Sequence, residues 1–109
     1  MEKNNKISAS HILIMYKESQ GSRSEISKND ARIKIDDIHK DIVSKKIRFN
    51  DAAVTHSDCP SGKDGGNLGE FGKGVMVKAF EDIAFSLKKE QISDPFESDF
   101  GFHIVRRDK

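Results

Sequence analysis

The chain has 109 residues, with 19 Lys+Arg against 18 Asp+Glu, a formal charge of +1 with histidines neutral. That length accommodates one compact domain, and 35% hydrophobic with 34% charged residues in near balance is the composition of a folded globular chain rather than a disordered one. The balanced charge and a pI near 7.9 exclude the broad positive field of a dedicated nucleic-acid binder, the single cysteine excludes an internal disulfide, and no apolar run reaches the roughly 20 residues of a membrane span. One domain over residues 1–109 is expected, with its core within about 7–107. It is expected to be cytoplasmic and monomeric, without nucleic-acid or membrane partners, because the polar start from Met1 to Lys6 carries no apolar segment of signal-peptide length. The charge is mildly polarised: residues 1–50 hold 11 Lys+Arg against 7 Asp+Glu, and residues 51–109 hold 8 against 11.

In chain order, Ser8 to Tyr16 contains Ile12, Leu13, Ile14 and Met15, an apolar, β-branched run too short for a typical helix and suited to a central strand. Lys17 to Asn29 has little periodicity and is expected to be an exposed loop carrying Lys17, Arg23 and Lys28. Asn29 or Asp30 is expected to cap a helix running to about Lys46, in which Ala31, Ile35, Ile38 and Ile42 make one apolar stripe and Lys45 and Lys46 complement the C-terminal dipole. Asn50 is expected to cap a shorter helix to about His56, with Phe49, Ala52 and Ala53 inward. Pro60 and the glycines from Gly62 to Gly74 then leave room only for a short strand at about Leu68 to Phe71. Phe80, Ile83, Ala84 and Leu87 have helical spacing. The end of the chain reads as a hairpin, Ile92 to Glu97 and Phe102 to Arg106 around a turn at Ser98 to Gly101. The order βααβαββ is that of a small α+β domain.

Four histidines and one cysteine are the candidates for chemistry. By strand alternation His11 and Leu13 share one face while Ile12 and Ile14 take the other, and His103 and Val105 oppose Phe102 and Ile104. If the first and last strands are neighbours, both imidazoles meet inside the sheet. Taken singly, each histidine also reads as a half-buried residue with a hydrogen-bond partner. A zinc site is weakly supported, because His56 and Cys59 form the only close pair of ligand types. A Cys-His hydrolase needs an activated thiolate, and Pro60 directly after Cys59 argues against a helix N-terminus there. The alternative for Cys59 is a buried small apolar residue. A phosphate loop fails, because the first glycine of G-x-x-x-x-G-K-[ST] would have to stand where Asn67 or Ser57 does.

Several segments in order carry a resemblance: Ser10-His11-Ile12-Leu13, Phe49-Asn50-Asp51-Ala52-Ala53, Ser57-Asp58-Cys59-Pro60-Ser61 and Gly65-Gly66-Asn67-Leu68-Gly69-Glu70-Phe71. Val77-Lys78-Ala79-Phe80-Glu81 and Phe100-Gly101-Phe102-His103-Ile104-Val105 complete the set. Together they span residues 8 to 107, and the chain resembles the parvulin family of peptidyl-prolyl cis/trans isomerases. The resemblance implies an FKBP-like fold, a four-stranded antiparallel sheet surrounded by three to four helices. It also implies rotation about X-Pro bonds in proline-containing peptides and in unfolded or partly folded proteins, with neither cofactor nor metal. It places His11 and His103 as a paired-histidine motif, Cys59 facing the substrate amide, and Ser98 bonded to the histidine network. Leu68, Met76 and Phe80 would hold the proline ring, with Phe71 among the substrate-binding residues. Val77 stands where the family often has Gln, and Ala79 where it often has Pro. Some parvulins bind a phosphorylated residue before proline through a basic loop; here Lys17, Arg23 and Lys28 are diluted by Glu18 and Glu25 and the adjacent arginines are missing, so strict phospho-dependence is not expected. A non-catalytic peptide-binding chaperone using the same pocket is the alternative, and a Cys-His hydrolase is more distant.

Overall fold

The structure is a computed structural model and describes residues 6–109; the polar start of the chain, through residue 5, lies outside the described residues. Its elements are β1 (Lys6–Ile14), α1 (Lys28–Val43), α2 (Phe49–His56), a 3₁₀ turn at Pro60–Asp64, β2 (Asn67–Gly72), α3 (Lys78–Ser86), β3 (Phe96–Ser98) and β4 (Gly101–Arg107). The four strands form one antiparallel sheet in the order β2-β1-β4-β3, so the first and last strands lie side by side at its centre. Among the described residues no helix is long and apolar enough to cross a membrane.

Strand alternation sorts the core into two layers. Ile12, Ile14, Phe102 and Ile104 point to one face, where the α1 stripe of Ala31, Ile35, Ile38 and Ile42 and the α2 residues Phe49, Ala52 and Ala53 cover them. Ile7, Ala9, Phe71 and Val105 point to the other, under Phe80 and Ala84 of α3 and the following Leu87. The stripe of α1 is found in place; the strand read at 8–16 runs instead over Lys6–Ile14, and the hairpin partner of the last strand is shorter than the expected Ile92–Glu97.

Element ends differ from the sequence reading for local reasons. The cap of α1 is Ser27 rather than Asn29 or Asp30: its hydroxyl accepts from the Asp30 N–H at 3.0 Å. That helix stops at Val43, short of Lys46, and Lys45 takes a left-handed φ of 66°. Asn50 does not cap α2, which begins one residue earlier after Arg48; the Asn50 amide instead donates to the Gly65 carbonyl at 2.9 Å. Pro60 begins a short 3₁₀ turn instead of preventing one, since a first helical position needs no N–H and suits its fixed φ. The strand expected from Ile92 is regular only from Phe96. Pro95 has no N–H to offer a ladder, and upstream of it the Ser93 hydroxyl accepts the Val105 N–H at 3.0 Å in place of a main-chain carbonyl, leaving Ile92 a lone bridge to Arg106. The loop of 17–27 is exposed over most of its length, yet it is pinned at its neck by Lys17 N–H to the Ile26 carbonyl (2.8 Å) and by Gln20 N–H to the Asp99 carbonyl (2.7 Å).

Two glycines are demanded by close approaches to β1, Gly101 at the Ile14 carbonyl and Gly66 at His11. Gly66 has φ of 87°, and a Cβ there would collide with the His11 carbonyl, while its own carbonyl accepts the His11 N–H at 2.9 Å. Gly66→Ala is therefore expected to destabilise the fold by about 2–4 kcal/mol, the range of strained backbone plus a steric shift. Urea unfolding checks this; an unchanged midpoint would show that the β1–glycine contact is not required.

Candidate active site

The site lies on the sheet face opposite α1. The β1–β4 register sets Leu13 across from His103 and His11 across from Val105, so the two histidines are diagonal neighbours on one face. Their Nδ1 atoms stand 3.3 Å apart and the rings stack at 5.4 Å and 25°. Phe80 of α3 meets both edge-on, at 5.4 Å from His11 and 5.6 Å from His103. His11 keeps 6% of its surface exposed and His103 3%.

The two imidazoles and Ser98 form one hydrogen-bonded chain. Ser98 Oγ accepts the Phe100 N–H at 3.1 Å and bonds His103 Nε2 at 2.6 Å, and His103 Nδ1 bonds His11 Nδ1, the direction of each bond following from the tautomer. The remaining ring nitrogen of His11 is Nε2. That atom is buried with no partner among the described residues. Burial holds the His11 imidazole down at about 4; burial, with the charge of His11 as a smaller contribution, holds His103 down at about 3. Both rings are neutral at neutral pH, a state in which each can donate one bond and accept another.

Cys59 reaches the same cavity by a side-chain ladder. Where β2 leaves β1, Ser57 and Asp58 take over the pairing: Leu13 N–H donates to Ser57 Oγ (3.0 Å), Met15 N–H to Asp58 Oδ2 (2.8 Å), and Asp58 N–H to the Leu13 carbonyl (2.7 Å). The next residue, Cys59, is thereby held at the cavity that His11 also lines, with Ser61 Oγ donating to its sulfur at 3.2 Å.

A cavity of about 400 Å³ opens above the histidines. Its walls are the expected Leu68, Met76 and Phe80, with Cys59, His11 and His103 on the sheet side. Leu13, Val75, Val77 and Phe100 also line it and were not singled out from sequence as pocket residues. Leu13 was legible, since it shares the His11 face; Val75 and Val77 flank Met76 and are 67% and 43% exposed, so no burial pattern marks them. Phe71 is not among the lining residues: it is buried behind Phe80, ring centroids 6.2 Å apart, and supports that ring from below. Ser98 reaches the site only through His103.

Two of the expected loop cations have separate partners, and Lys28 begins α1. Lys28 pairs with Glu97 at 3.2 Å and lies over the Tyr16 ring, whereas Arg23 Nη2 donates to the Asp58 carbonyl at 3.3 Å. Arg23 and Lys63 line a second cavity, about 380 Å³, that shares Cys59 with the first. The Tyr16 hydroxyl is pushed up to about 12, chiefly by its bond to Glu97, then by burial and by the charges of Glu97, Glu18 and Asp99.

Buried neutral histidines tie stability to pH. Unfolded, they bind protons below about 6.5, whereas folded His11 does so only near 4 and folded His103 near 3. The unfolded state thus holds more protons between these values, so their contribution is full above about pH 6.5 and falls as pH drops toward 4. At 1.36 kcal/mol per unit, the loss from His11 alone is roughly 3 kcal/mol. Urea unfolding at neutral and acidic pH is expected to show that loss, and His11→Leu to flatten it; a wild-type stability independent of pH would contradict neutral burial.

Comparison with known proteins agrees with this geometry. Residues 11–109 match the rotamase family described as the PPIC-type PPIASE domain. The peptidyl-prolyl cis-trans isomerase Pin1 of Arabidopsis thaliana is 41% identical over 120 residues, covering 98% of each chain. Among solved structures, the peptidyl-prolyl isomerase ESS1 of Candida albicans superposes with a TM-score of 0.92 at 29% identity, over 94% of this chain and 62% of that one. NmPin, the parvulin of Nitrosopumilus maritimus, superposes at 0.69 with 37% identity over 98% of both chains.

Proposed function

The chain belongs to the parvulin, or PpiC-type, family of peptidyl-prolyl cis/trans isomerases, and from that membership we propose how its own residues turn an X-Pro bond. The observation that carries the reading is the apolar cavity of Leu68, Met76 and Phe80 standing directly over the neutral His11–His103 pair.

Rotation about the X-Pro amide faces a barrier of ~18–20 kcal/mol, because the C–N bond has partial double-bond character. Uncatalysed exchange takes about 10–100 s. No bond breaks, so the site must only favour the twisted amide over both planar forms, and each ~1.36 kcal/mol of that preference yields tenfold in rate. Leu68, Met76 and Phe80 grip the pyrrolidine ring while the acyl side turns. The planar amide is the more dipolar form, and an apolar cavity with few competing dipoles disfavours it relative to the twisted state. Cys59, held by Ser57 and Asp58 on the β1 side of the cavity, faces the substrate carbonyl and acts electrostatically. His11, His103 and Ser98 form a hydrogen-bonded chain that orients the floor of the site. They transfer no proton.

The substrates are proline-containing peptides and unfolded or partly folded proteins. Arg23 and Lys63, beside Cys59, favour an acidic residue before proline, and the engagement of Lys28 by Glu97 supports a preference that does not require phosphate. We place residues 1–109 as one isomerase unit, monomeric and cytoplasmic, and its balanced charge supports a role without nucleic-acid partners. The non-catalytic reading of the pocket is not favoured, because relatives matched along their whole length are isomerases.

In an NMR exchange assay on X-Pro peptides, Phe80→Ala and Met76→Ala are expected to lower kcat/KM by about tenfold or more through lost ring contact. A well-folded wild-type chain that left the exchange rate unchanged would contradict the isomerase reading of this cavity. Cys59→Asp is expected to retain substantial activity and Cys59→Ala or Cys59→Ser to lose more; a fully inactive Asp variant would point to covalent chemistry. Turnover of Glu-Pro, phospho-Ser-Pro and Leu-Pro peptides is expected to rank the two acidic ones together ahead of Leu-Pro, and a large advantage for phosphate alone would count against the loop assignment.

A further inference from the structure

The histidine chain sits one strand in from an open edge of the sheet. That edge is β3, only three residues long, on which Phe96 stands opposite His103 of β4. His11 reaches His103 from the β1 side; Phe96 covers it from the β3 side, its ring nearly parallel at 5.2 Å and 14°. Phe80 closes the remaining approach, perpendicular to His103 and 6.2 Å from Phe96. Phe96 is itself only half-buried, whereas His103 beneath it is 3% exposed. The Phe96 ring is therefore the more exposed member of the stacked pair. Phe96 does not line the cavity that takes the proline ring.

We propose that Phe96 is a positioning residue for isomerisation: its ring seals the sheet-edge face of His103 and fixes the plane in which Nε2 meets Ser98 and Nδ1 meets His11. An edge strand leaves such a face open to water, and a flat side chain stacked on the imidazole covers it while restricting rotation about χ2. With a small residue at 96 the ring can turn, water reaches both nitrogens, and the charged form is no longer penalised by burial. The groups that face His103 are His11 from β1, Ser98 and Phe96 from β3, and Phe80 from α3, with Cys59 lining the same cavity and Arg32 and Asp36 of α1 on the opposite face of the sheet. Of those in direct contact only His11 titrates, and it is held neutral over the same range, so access of water is what sets the state of His103. The sequence offered no signal for this: Phe96 lay in the expected strand but outside every motif carried by the resemblance.

The proposal rests on the role given above to the histidine pair, and its test separates the two. Imidazole nitrogens of the full chain are followed by NMR against pH in wild type, Phe96→Ala and Phe96→Tyr, alongside kcat and KM on an X-Pro peptide. Phe96→Ala is expected to raise the His103 titration by about one unit or more and to replace its single tautomer by an exchanging mixture. It is also expected to lower kcat about fivefold with KM within about twofold, Phe96→Tyr restoring both readouts. If Phe96→Ala does not fold, Phe96→Leu is read in the same way. A lower Tm with unchanged titration, tautomer and kcat would reduce Phe96 to packing and overturn the proposal, as would a raised KM at constant kcat. A shifted titration with unchanged kcat would instead overturn the part given to the histidine pair, and the positioning role with it.

Discussion

Everything in this site hangs on the register between β1 and β4. Side chains alternate along a strand, so the pairing that sets Leu13 against His103 sends both histidines to one face and hands Ile12, Ile14, Phe102 and Ile104 to the other. A slip of one residue would bury the imidazoles under α1 and turn the isoleucines toward the substrate. The α1 stripe and the fully buried isoleucines therefore specify the active-site face as firmly as they specify the core, and the fold excludes the alternative register by hydrophobic burial rather than by any contact in the site itself.

From that placement follows the electrostatic character of the site. Two imidazoles packed under Phe80 lose their water and stay neutral, and neutral rings can form a hydrogen-bonded chain that ends on Ser98 at one side and, at the other, on a His11 Nε2 with no partner among the described residues. A charged pair at the same separation would repel and demand counter-ions, which an apolar cavity cannot supply. Cys59 is delivered by a different device: Ser57 and Asp58 extend the β1 ladder with side-chain oxygens after β2 has departed at the glycine turn. The cavity wall is thus shared by the sheet histidines, Cys59 before the 3₁₀ turn, Leu68 of β2, Met76 just before α3 and Phe80 in its first turn.

Much of this was readable from the chain. Alternation placed the histidines on one face, helical spacing gave the α1 stripe and α3, and ordered motifs pointed to the cavity residues Leu68, Met76 and Phe80. The misses share a cause: each depends on a partner distant in sequence. Asn50 resembles a cap locally but bonds Gly65, fifteen residues on. Ser93 replaces a ladder carbonyl only because β4 runs beside it. Phe71 fits a pocket motif, yet it faces the back of Phe80. Lys28 reads as a free loop cation until Glu97 of the edge strand is seen to hold it. Local pattern carries burial and periodicity; it does not carry which polar group a distant strand will bring.

The central claim is that this enzyme works by holding and desolvating, with its histidines as fixed dipoles that move no proton. The solvent deuterium isotope effect on kcat/KM, measured by NMR exchange on an X-Pro peptide at neutral pH, tests that most directly. An effect near unity is the result this account predicts. A large normal effect, abolished when His11 is replaced, would place a proton transfer in the rate-limiting step and contradict it.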